Sequence, residues 1–119
     1  MEIAVKKVAE LEGVELDCWV AKALDPAEKV YQHGDSFCIR WQRTPPRYSS
    51  DWAIGGPVIE ASSMTVGTST SDETAWRASF RLGECKAWGP TPLVAAMRCR
   101  VVSVFGEEVQ HDQPAAVVA

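Results

Sequence analysis

The sequence predicts an α+β domain in which a small, mostly antiparallel sheet of three or four strands packs against three helices. Two stretches, residues 14–24 and 91–105, space their apolar side chains at helical intervals. Two others, residues 36–42 and 75–88, alternate apolar and polar side chains as strands do. The resulting order is an N-terminal helix, a strand, a short broken central helix, a hairpin and a C-terminal helix.

The length of the chain limits it to one domain. Its 119 residues are 46% hydrophobic and include 5 tryptophans, which is enough apolar material for one core but not for two. We expect a single domain over residues 1–110. A flexible tail is expected over residues 111–119, where HDQPAAVVA shows no periodic pattern.

The N-terminal helix is predicted over residues 14–24, VELDCWVAKAL. Leu16 and Trp19 belong to an apolar stripe with helical spacing, so we expect them to face the core. Asp17 is expected on the opposite, solvent-facing side. Pro26 ends the helix, because the residue before a proline is driven out of the helical region.

A half-buried strand is predicted over residues 36–42, SFCIRWQ. Phe37, Ile39 and Trp41 lie on one face of it, and we expect all three to pack in the core. The strand must end before Pro45, because two consecutive prolines lack the amide donor that a strand ladder needs.

The central stretch, residues 48–60, reads YSSDWAIGGPVIE. Ser50 is a suitable N-cap for one short helical turn, which the glycines Gly55 and Gly56 would then break. Pro57 favours the first position of a second helical piece, and this predicts a short broken central helix. The alternative is a strand that opens after Pro57.

The last third of the chain predicts a hairpin followed by a helix. The alternating residues 75–82 and 84–88 are separated by Gly83, which is typical of a tight turn between antiparallel strands. In the final helix Thr91 is the expected N-cap, with a proline at the first helical position. Gly106 is the expected residue of positive φ at the end of this helix.

The residues that could support catalysis are few. His33 lies in a turn composition and His111 in the expected tail, so neither histidine is placed where a helix or strand would fix a general base. No nucleophile elbow and no phosphate-binding glycine loop occurs in the sequence. Asp51 and Glu60, which flank the Gly-Gly-Pro turn, are the best acid–base pair, and a small hydrolase using them is the enzymatic alternative. The sequence favours a protein without catalytic residues.

The four cysteines do not predict a metal site or a cofactor. They stand at positions 18, 38, 85 and 99, without a CxxC pair and without a histidine close in sequence. A structural zinc site normally contains at least one such close pair of ligands. We expect four reduced thiols, no metal and no cofactor.

Aromatic side chains beside turn glycines form the best candidate for a binding site. Rings at the ends of helices and strands can stack on a ligand, and free amides at helix starts favour anions. The candidate ligand-binding residues are Tyr48, Asp51, Trp52, Gly55, Gly56, Trp88 and Thr91.

The charge distribution suggests which partners to consider. The formal net charge is −4, which argues against general binding of nucleic acid. Residues 36–100 nevertheless carry seven arginines and one lysine against five acids. Because arginine suits planar anions, a small anionic ligand, which could be nucleotide-like, is one candidate partner.

Several of these stretches resemble the phage NinX-type family. Residues 48–52 and 55–60 are similar to the central motif of that family, and the final helix is similar to its C-terminal motif. The matching residues of the final helix are Gly89, Pro90, Thr91, Pro92, Leu93, Ala95, Ala96, Met97, Arg98, Phe105, Gly106, Glu108 and Val109. In the first helix Cys18 stands between Asp17 and Trp19, where the family pattern has the aspartate directly before the tryptophan.

The resemblance implies a small accessory protein of temperate bacteriophages with an uncharacterised role. It supplies no catalytic residues, and the final helix also resembles that of other small phage proteins with an α-β-α sandwich. The implied place of action is the cytoplasm of the bacterial host. Consistent with this expectation, the opening MEIAVKKVAELEG lacks the apolar segment of a secretory signal. The candidate partners are therefore a host protein, a small anionic ligand or a second copy of this chain, with no membrane partner.

Overall fold

The computed structural model describes residues 5–68, 76–80 and 85–111. In these ranges the α-helices are α1 (Gly13–Leu24), α2 (Trp52–Ser62) and α3 (Pro92–Phe105). The strands are β1 (Val5–Lys7), β2 (Val30–His33), β3 (Ser36–Ile39), β4 (Thr65–Thr68), β5 (Trp76–Phe80), β6 (Cys85–Gly89) and β7 (Glu108–Gln110). Single 3₁₀ turns occupy Val8–Glu10 and Arg40–Gln42.

All the strands that the structure describes pair antiparallel. β4, β5 and β6 form a three-stranded sheet in that order, β2 and β3 form a hairpin, and β1 pairs with β7. The α+β class predicted from the sequence is confirmed, with the strands divided among three small sheets. The β5–β6 hairpin is confirmed as well, while its predicted turn at Gly83 and the part of the expected tail from residue 112 lie outside the described residues.

The core lies where α1 and α3 meet each other and where α3 covers the three-stranded sheet. Trp19 of α1 is fully buried and meets the ring of Phe105 edge-on, with centroids 5.3 Å apart. Small residues, Ala78 of β5 and Ala87 of β6, face α3 and let that helix approach the sheet closely. One continuous cluster of buried side chains therefore unites the helices and the sheet.

Helix α1 corrects one prediction. Asp17, expected on the solvent side, is only 3% exposed. The helix is covered on more than one side, because the loop that contains Ser49 packs over the face that carries Asp17, and the backbone N–H of Ser49 donates to Asp17 Oδ1 at 2.8 Å. The periodic stripe of α1 marks only part of its buried surface.

The strand predicted over residues 36–42 ends at Ile39, and the prediction that Trp41 packs in the core is wrong. Trp41 is 78% exposed, and both Trp41 and Gln42 have positive φ, at 68° and 54°. The buried carboxylate of Glu28 accepts from the backbone N–H of Arg40 at 2.9 Å and stabilises this turn. A contact twelve residues away in sequence thus overrides the local alternation.

Helix α2 is continuous, so the predicted break at Gly55 and Gly56 is absent. Pro57 lies inside the helix, where it removes one backbone donor without ending the helix. Asp51 rather than Ser50 is the N-cap, since its carboxylate accepts from the backbone N–H of Ala53 at 2.9 Å. Tertiary contacts along α2 outweigh the poor helix propensity of its two glycines.

Helix α3 begins and ends as predicted. The Thr91 hydroxyl accepts from the backbone N–H of Val94 at 3.1 Å, and Gly106 takes φ of 85° at the other end. Val104, which helical spacing places on the buried face, is exposed.

Candidate functional site

Two of the stretches that resemble the phage family meet at Asp17. The carboxylate of this residue is held under the loop by the backbone N–H and the side chain of Ser49. Burial raises the pKa of Asp17 from its ordinary value of 3.8, while the hydrogen bonds from Ser49 and the charge of Arg47 act in the opposite direction. Asp17 therefore fixes the loop that leads into α2.

Gly55 joins the same loop to the start of α3. A Cβ atom placed on Gly55 would overlap the carbonyl oxygen of Tyr48 and lie 2.8 Å from Leu93 Cδ2. Gly89, at the end of β6, likewise permits a close backbone approach, since a Cβ there would lie 2.8 Å from the backbone nitrogen of Ala95. These glycines permit close packing among the loop, α2, α3 and β6.

The structure gives most of the candidate ligand-binding residues a structural role. Asp51 and Thr91 are N-caps whose oxygens are engaged by backbone amides of their own helices. Tyr48 is half-buried, and burial, followed by the charges of Asp17 and Glu28, raises the pKa of its hydroxyl. The amide groups of the candidate glycines lie inside α2, so they are not free for an anion.

Trp52, Gly56 and Trp88 complete the set of candidate residues. Trp52 lies in the first turn of α2 and is 57% exposed, and Gly56 follows it on the same helix, with Trp52 Cε3 about 4.0 Å from the position of a Cβ on Gly56. Trp88 lies on β6 and is 41% exposed. Trp88 also borders a groove between the N-terminal arm, β6 and α3.

The geometry separates the two acids of the enzymatic alternative. Asp51 caps the start of α2 and Glu60 is exposed near its end, nine positions further along. Nine residues of α-helix correspond to roughly 13 Å of rise and two and a half turns, which places the two side chains on opposite faces. They do not form a carboxylate pair around a shared cleft.

A groove lies between the N-terminal arm, β6 and α3. Its volume is about 1030 Å³, at the upper end of the roughly 300–1,000 Å³ of small-molecule sites. The arm contributes Lys7, Val8 and Ala9, and β6 contributes Lys86, Ala87 and Trp88. Helix α3 and the residues after it contribute Arg98, Val102, Phe105, Glu107 and Glu108. The groove thus combines an apolar and aromatic lining with groups of both charges.

Arg98 bridges the two walls of the groove. It is 7% exposed, its Nε donates to the carbonyl of Leu11 at 2.8 Å, and its Nη1 donates to the carbonyl of Trp88 at 2.9 Å. Burial lowers the pKa of Arg98, and the charge of Glu12 acts in the opposite direction. Within the described ranges no carboxylate oxygen lies within 4.0 Å of its guanidinium. The hydrogen bonds of this buried guanidinium go to carbonyl oxygens, and its acidic neighbour Glu12 lies beyond 4.0 Å, an arrangement that favours an added anion.

The remaining charges of the groove are partly matched. Lys7 lies opposite Glu108 in the β1–β7 ladder, and Glu107 precedes Glu108 after α3. Lys86 is exposed on β6 and, in the part of the chain that the structure describes, has no carboxylate partner within 4.0 Å. In the described part of the chain, neither Lys86 nor Arg98 therefore has a carboxylate within ion-pair distance.

A second polar cluster ties the two ends of the described chain together. The buried carboxylate of Glu15 contacts Lys6 Nζ, and its second oxygen lies 3.0 Å from Nε2 of His111. The imidazole of His111 stacks on Phe37 with centroids 5.5 Å apart. His111, which the sequence assigns to a flexible tail, thus contacts Glu15 and Trp19 of α1 and Phe37 of β3.

Metal binding finds no support in the described geometry. No group of three or more His, Cys, Asp and Glu side chains in the described ranges is arranged to hold a metal ion. The four cysteines are free thiols. Burial raises the pKa of Cys18 to about 12 and that of Cys99 to about 11, so both remain protonated near neutral pH.

Sequence reasoning missed most of the groove. Only Trp88 was a candidate from the pattern, whereas Arg98, Lys86 and Phe105 were not. One signal was present: Arg98 interrupts the most buried segment of α3, Ala95–Cys99, and a charged residue within such a segment needs a buried partner. The position of Lys7 beside β6 depends on how the arm folds back, which no local pattern encodes.

The fold and the groove define a small α+β protein with a candidate binding site and without a paired acid–base centre in its described part. The chain belongs to the phage family described as Bacteriophage P22, NinX, whose profile matches residues 7–104. The resemblance noted from the sequence is thereby confirmed. No curated protein matches the chain significantly. Among the described helices, none has both the length and the apolar character needed to cross a bilayer.

Proposed function

We propose that this phage protein is a non-enzymatic binding module that engages a host protein or a small anionic ligand in the bacterial cytoplasm. The groove between the arm, β6 and α3 is the binding site. The observation that carries the proposal is the position of Arg98, a nearly buried guanidinium that borders an open groove and, among the described residues, has no carboxylate within 4.0 Å.

The lining of the groove supports recognition rather than catalysis. Val102 and Phe105, both half-buried, provide apolar surface that gains from being covered. Lys86 and Arg98 provide cations for a phosphate or a carboxylate. Among the described residues, the lining includes no histidine, serine or cysteine that could act as a nucleophile or as its base. Such a mixture of apolar surface and few polar groups is typical of binding pockets.

The experiment is affinity capture from a bacterial host lysate with the wild-type protein and with the variant Ala9→Trp. Ala9 is an exposed residue of the groove wall, so a tryptophan there fills the groove without removing a core side chain. Ala53→Trp is the matched control, because Ala53 is an exposed position of α2 outside the groove. Bound proteins and small molecules are identified by mass spectrometry.

We expect a ligand or partner that the wild type and Ala53→Trp retain and that Ala9→Trp loses. A nucleotide-like ligand would in addition raise the melting temperature of the wild type and of the control only. If Ala9→Trp retains every molecule that the wild type retains, the groove is not the binding site and the proposal fails.

The alternative is a purely structural protein that associates with itself. Exposed apolar side chains, including Val14 and Leu24 on α1 and Trp41 on its turn, could be covered by a second copy. Size-exclusion chromatography with light scattering distinguishes the two. A strict monomer at high concentration contradicts self-association, and a dimer that Ala9→Trp leaves intact shows that the dimer does not use the groove.

A further inference from the structure

The strand β6 is an open edge of the three-stranded sheet. Among the described strands it pairs with β5 alone. The carbonyl of Trp88 accepts from Arg98, and we infer from this bond that the carbonyl points away from β5. Alternate residues of an antiparallel strand turn their backbone groups to opposite sides. The backbone N–H and C=O groups of Lys86 therefore face away from β5 too, and those of Ala87 face towards it.

The open backbone groups of β6 lie along the groove. Lys86, Ala87 and Trp88 form the wall of the groove that β6 contributes. In the described ranges, no backbone hydrogen bond outside the ladders reaches Lys86 or Trp88. The opposite wall, Lys7, Val8 and Ala9, does not pair with this edge. The groove thus offers at least the N–H and C=O of Lys86 and the N–H of Trp88 to an added strand.

We propose that the groove accepts an extended peptide segment of a partner protein, which pairs with β6 and directs a carboxylate towards Arg98 and Lys86. This inference rests on the proposed function and identifies the class of partner that the protein binds. Strand addition supplies affinity through main-chain hydrogen bonds, and the flanking side chains supply selectivity. Three consecutive residues of β6, Lys86, Ala87 and Trp88, border the groove, which is the length of strand that a short added segment would pair with.

Charge complementarity selects an acidic segment. Within the described part of the chain, neither Lys86 nor Arg98 has a carboxylate within 4.0 Å, and Glu12 acts on Arg98 from farther away, while Lys7 already lies opposite Glu108. A carboxylate in the peptide would complete the hydrogen bonding of a guanidinium that now contacts only carbonyl oxygens. Glu107 and Glu108 at the other side of the groove disfavour a run of many acids, so one or two acidic residues fit best.

The test uses a displayed library of random short peptides selected on the immobilised wild-type protein. The best binder is synthesised and its Kd is measured by fluorescence polarisation. Lys86→Pro removes the outward N–H of β6 without removing a bond to β5, and Lys86→Ala removes only the charge. Thr68→Pro is the matched control: by the same alternation the N–H of Thr68 faces outwards from the opposite edge of the sheet, on β4.

We expect selected peptides that share an acidic residue among β-branched ones. Lys86→Pro should raise the Kd about tenfold beyond the effect of Lys86→Ala, because one main-chain hydrogen bond is lost. Thr68→Pro should leave the Kd unchanged. Circular dichroism verifies that each variant folds. If Lys86→Pro does not fold, hydrogen exchange on the wild type replaces it, with slower exchange of the Lys86 and Trp88 amides expected on peptide binding.

Three results would overturn strand addition. They are a library that yields no binder, a Kd that Lys86→Pro and Lys86→Ala change equally, and unchanged exchange at both amides. The proposed function survives any of them if Ala9→Trp still abolishes capture of a host molecule. A nucleotide whose binding is sensitive to Ala9→Trp and insensitive to Lys86→Pro would assign the groove to a compact anion instead.

Discussion

At the level of single residues, the neighbouring glycines Gly55 and Gly56 have opposite environments. A side chain at Gly55 would overlap the carbonyl of Tyr48 and press on Leu93, whereas a Cβ at Gly56 meets nothing closer than Trp52 at about 4.0 Å. Both glycines lie inside the same helix, so they share the same intrinsic propensity. Any difference between their alanine variants therefore reports tertiary packing.

We predict that Gly55→Ala lowers the free energy of unfolding by about 1–3 kcal/mol, because the backbone of Tyr48 cannot move aside easily. Gly56→Ala should raise it by up to about 1 kcal/mol, because alanine favours the helix. Urea denaturation followed by circular dichroism measures both. Equal effects of the two substitutions would show that the loop does not pack against Gly55.

Asp17 gives a prediction with a defined pH dependence. Asp17→Ala leaves the buried N–H of Ser49 without its acceptor and should cost about 1–3 kcal/mol. Asp17→Asn keeps an acceptor oxygen and avoids burying a charge, so it should cost less than Asp17→Ala at neutral pH.

The sign of the pH effect follows from the raised pKa of Asp17. The folded state holds the proton more tightly than the unfolded state, so the contribution of this carboxyl to stability is fully present below its ordinary pKa of 3.8 and is lost as the pH rises through the folded pKa. The wild type should therefore lose stability relative to Asp17→Asn as the pH rises above 3.8. Urea denaturation over an acid-to-neutral pH series checks this, and the opposite trend would contradict a raised pKa.

Local residue patterns predicted what local interactions determine. The local sequence alone predicts the capping roles of Thr91 and Gly106, since caps depend on residues within a few positions. Asp17 was misplaced and Arg98 was missed, because their partners are remote. Asp17 meets Ser49 across 32 positions and Arg98 meets Leu11 across 87.

At the level of elements, the turn after β3 shows how a buried group imposes an unusual backbone. Glu28 accepts from the Arg40 backbone and from Arg43 Nη2, both at 2.9 Å. The backbones of Ile39 and Arg43 close the turn with two further hydrogen bonds. Trp41 is consequently held at positive φ, a conformation that costs a residue other than glycine about 1–2 kcal/mol.

We predict that Trp41→Gly is more stable than Trp41→Ala by about 1 kcal/mol, because glycine adopts positive φ without strain. The two variants lose the same exposed indole, so each is the control for the other. Thermal unfolding followed by circular dichroism measures the difference. An alanine variant at least as stable as the glycine variant would show that the turn is not held at positive φ in solution.

The central helix illustrates the limit of prediction at this level. Gly55, Gly56 and Pro57 all favour a break, and the helix nevertheless continues through them. The cap at Asp51 and the close contact of Gly55 with the Tyr48 loop and α3 stabilise it from outside. Propensity decides the state of a helix only where packing is weak.

For the whole molecule, the four thiols report the cooperativity of the fold. Cys18 and Cys99 are fully buried, and burial raises their pKa to about 12 and about 11. Cys38 and Cys85 are only half-buried. Because the thiolate is the reactive form, the two buried cysteines should react only when the core opens.

We predict that N-ethylmaleimide modifies Cys38 and Cys85 in the native protein and leaves Cys18 and Cys99 unmodified. Mass spectrometry after proteolysis assigns the labelled positions. Along a urea series, the labelling of Cys18 and Cys99 should follow the loss of the circular dichroism signal, because both belong to one core cluster. Their modification at lower urea would reveal an opening of the core that precedes global unfolding.

The class of the whole fold was predictable, and its functional surface was not. Periodicities of 3.6 and 2 residues identified α1, α3 and the β5–β6 hairpin. The groove, however, forms where an arm near one end of the chain, a strand edge and a late helix meet. Its existence depends on the pairing of β1 with β7. This pairing cannot be predicted from the sequence, because a strand of three residues is too short to show a periodic pattern.

That pairing also places the two ends of the described chain side by side. Val5 lies directly opposite Gln110, so the two backbones are roughly 5 Å apart there. A fusion partner attached before residue 5 would therefore start next to one attached after residue 111. Both attachment points lie near Lys7 and Glu108, which line one side of the groove. A tag at either position can therefore hinder binding in the groove. A short linker between residues 5 and 111 would close the described chain into a ring.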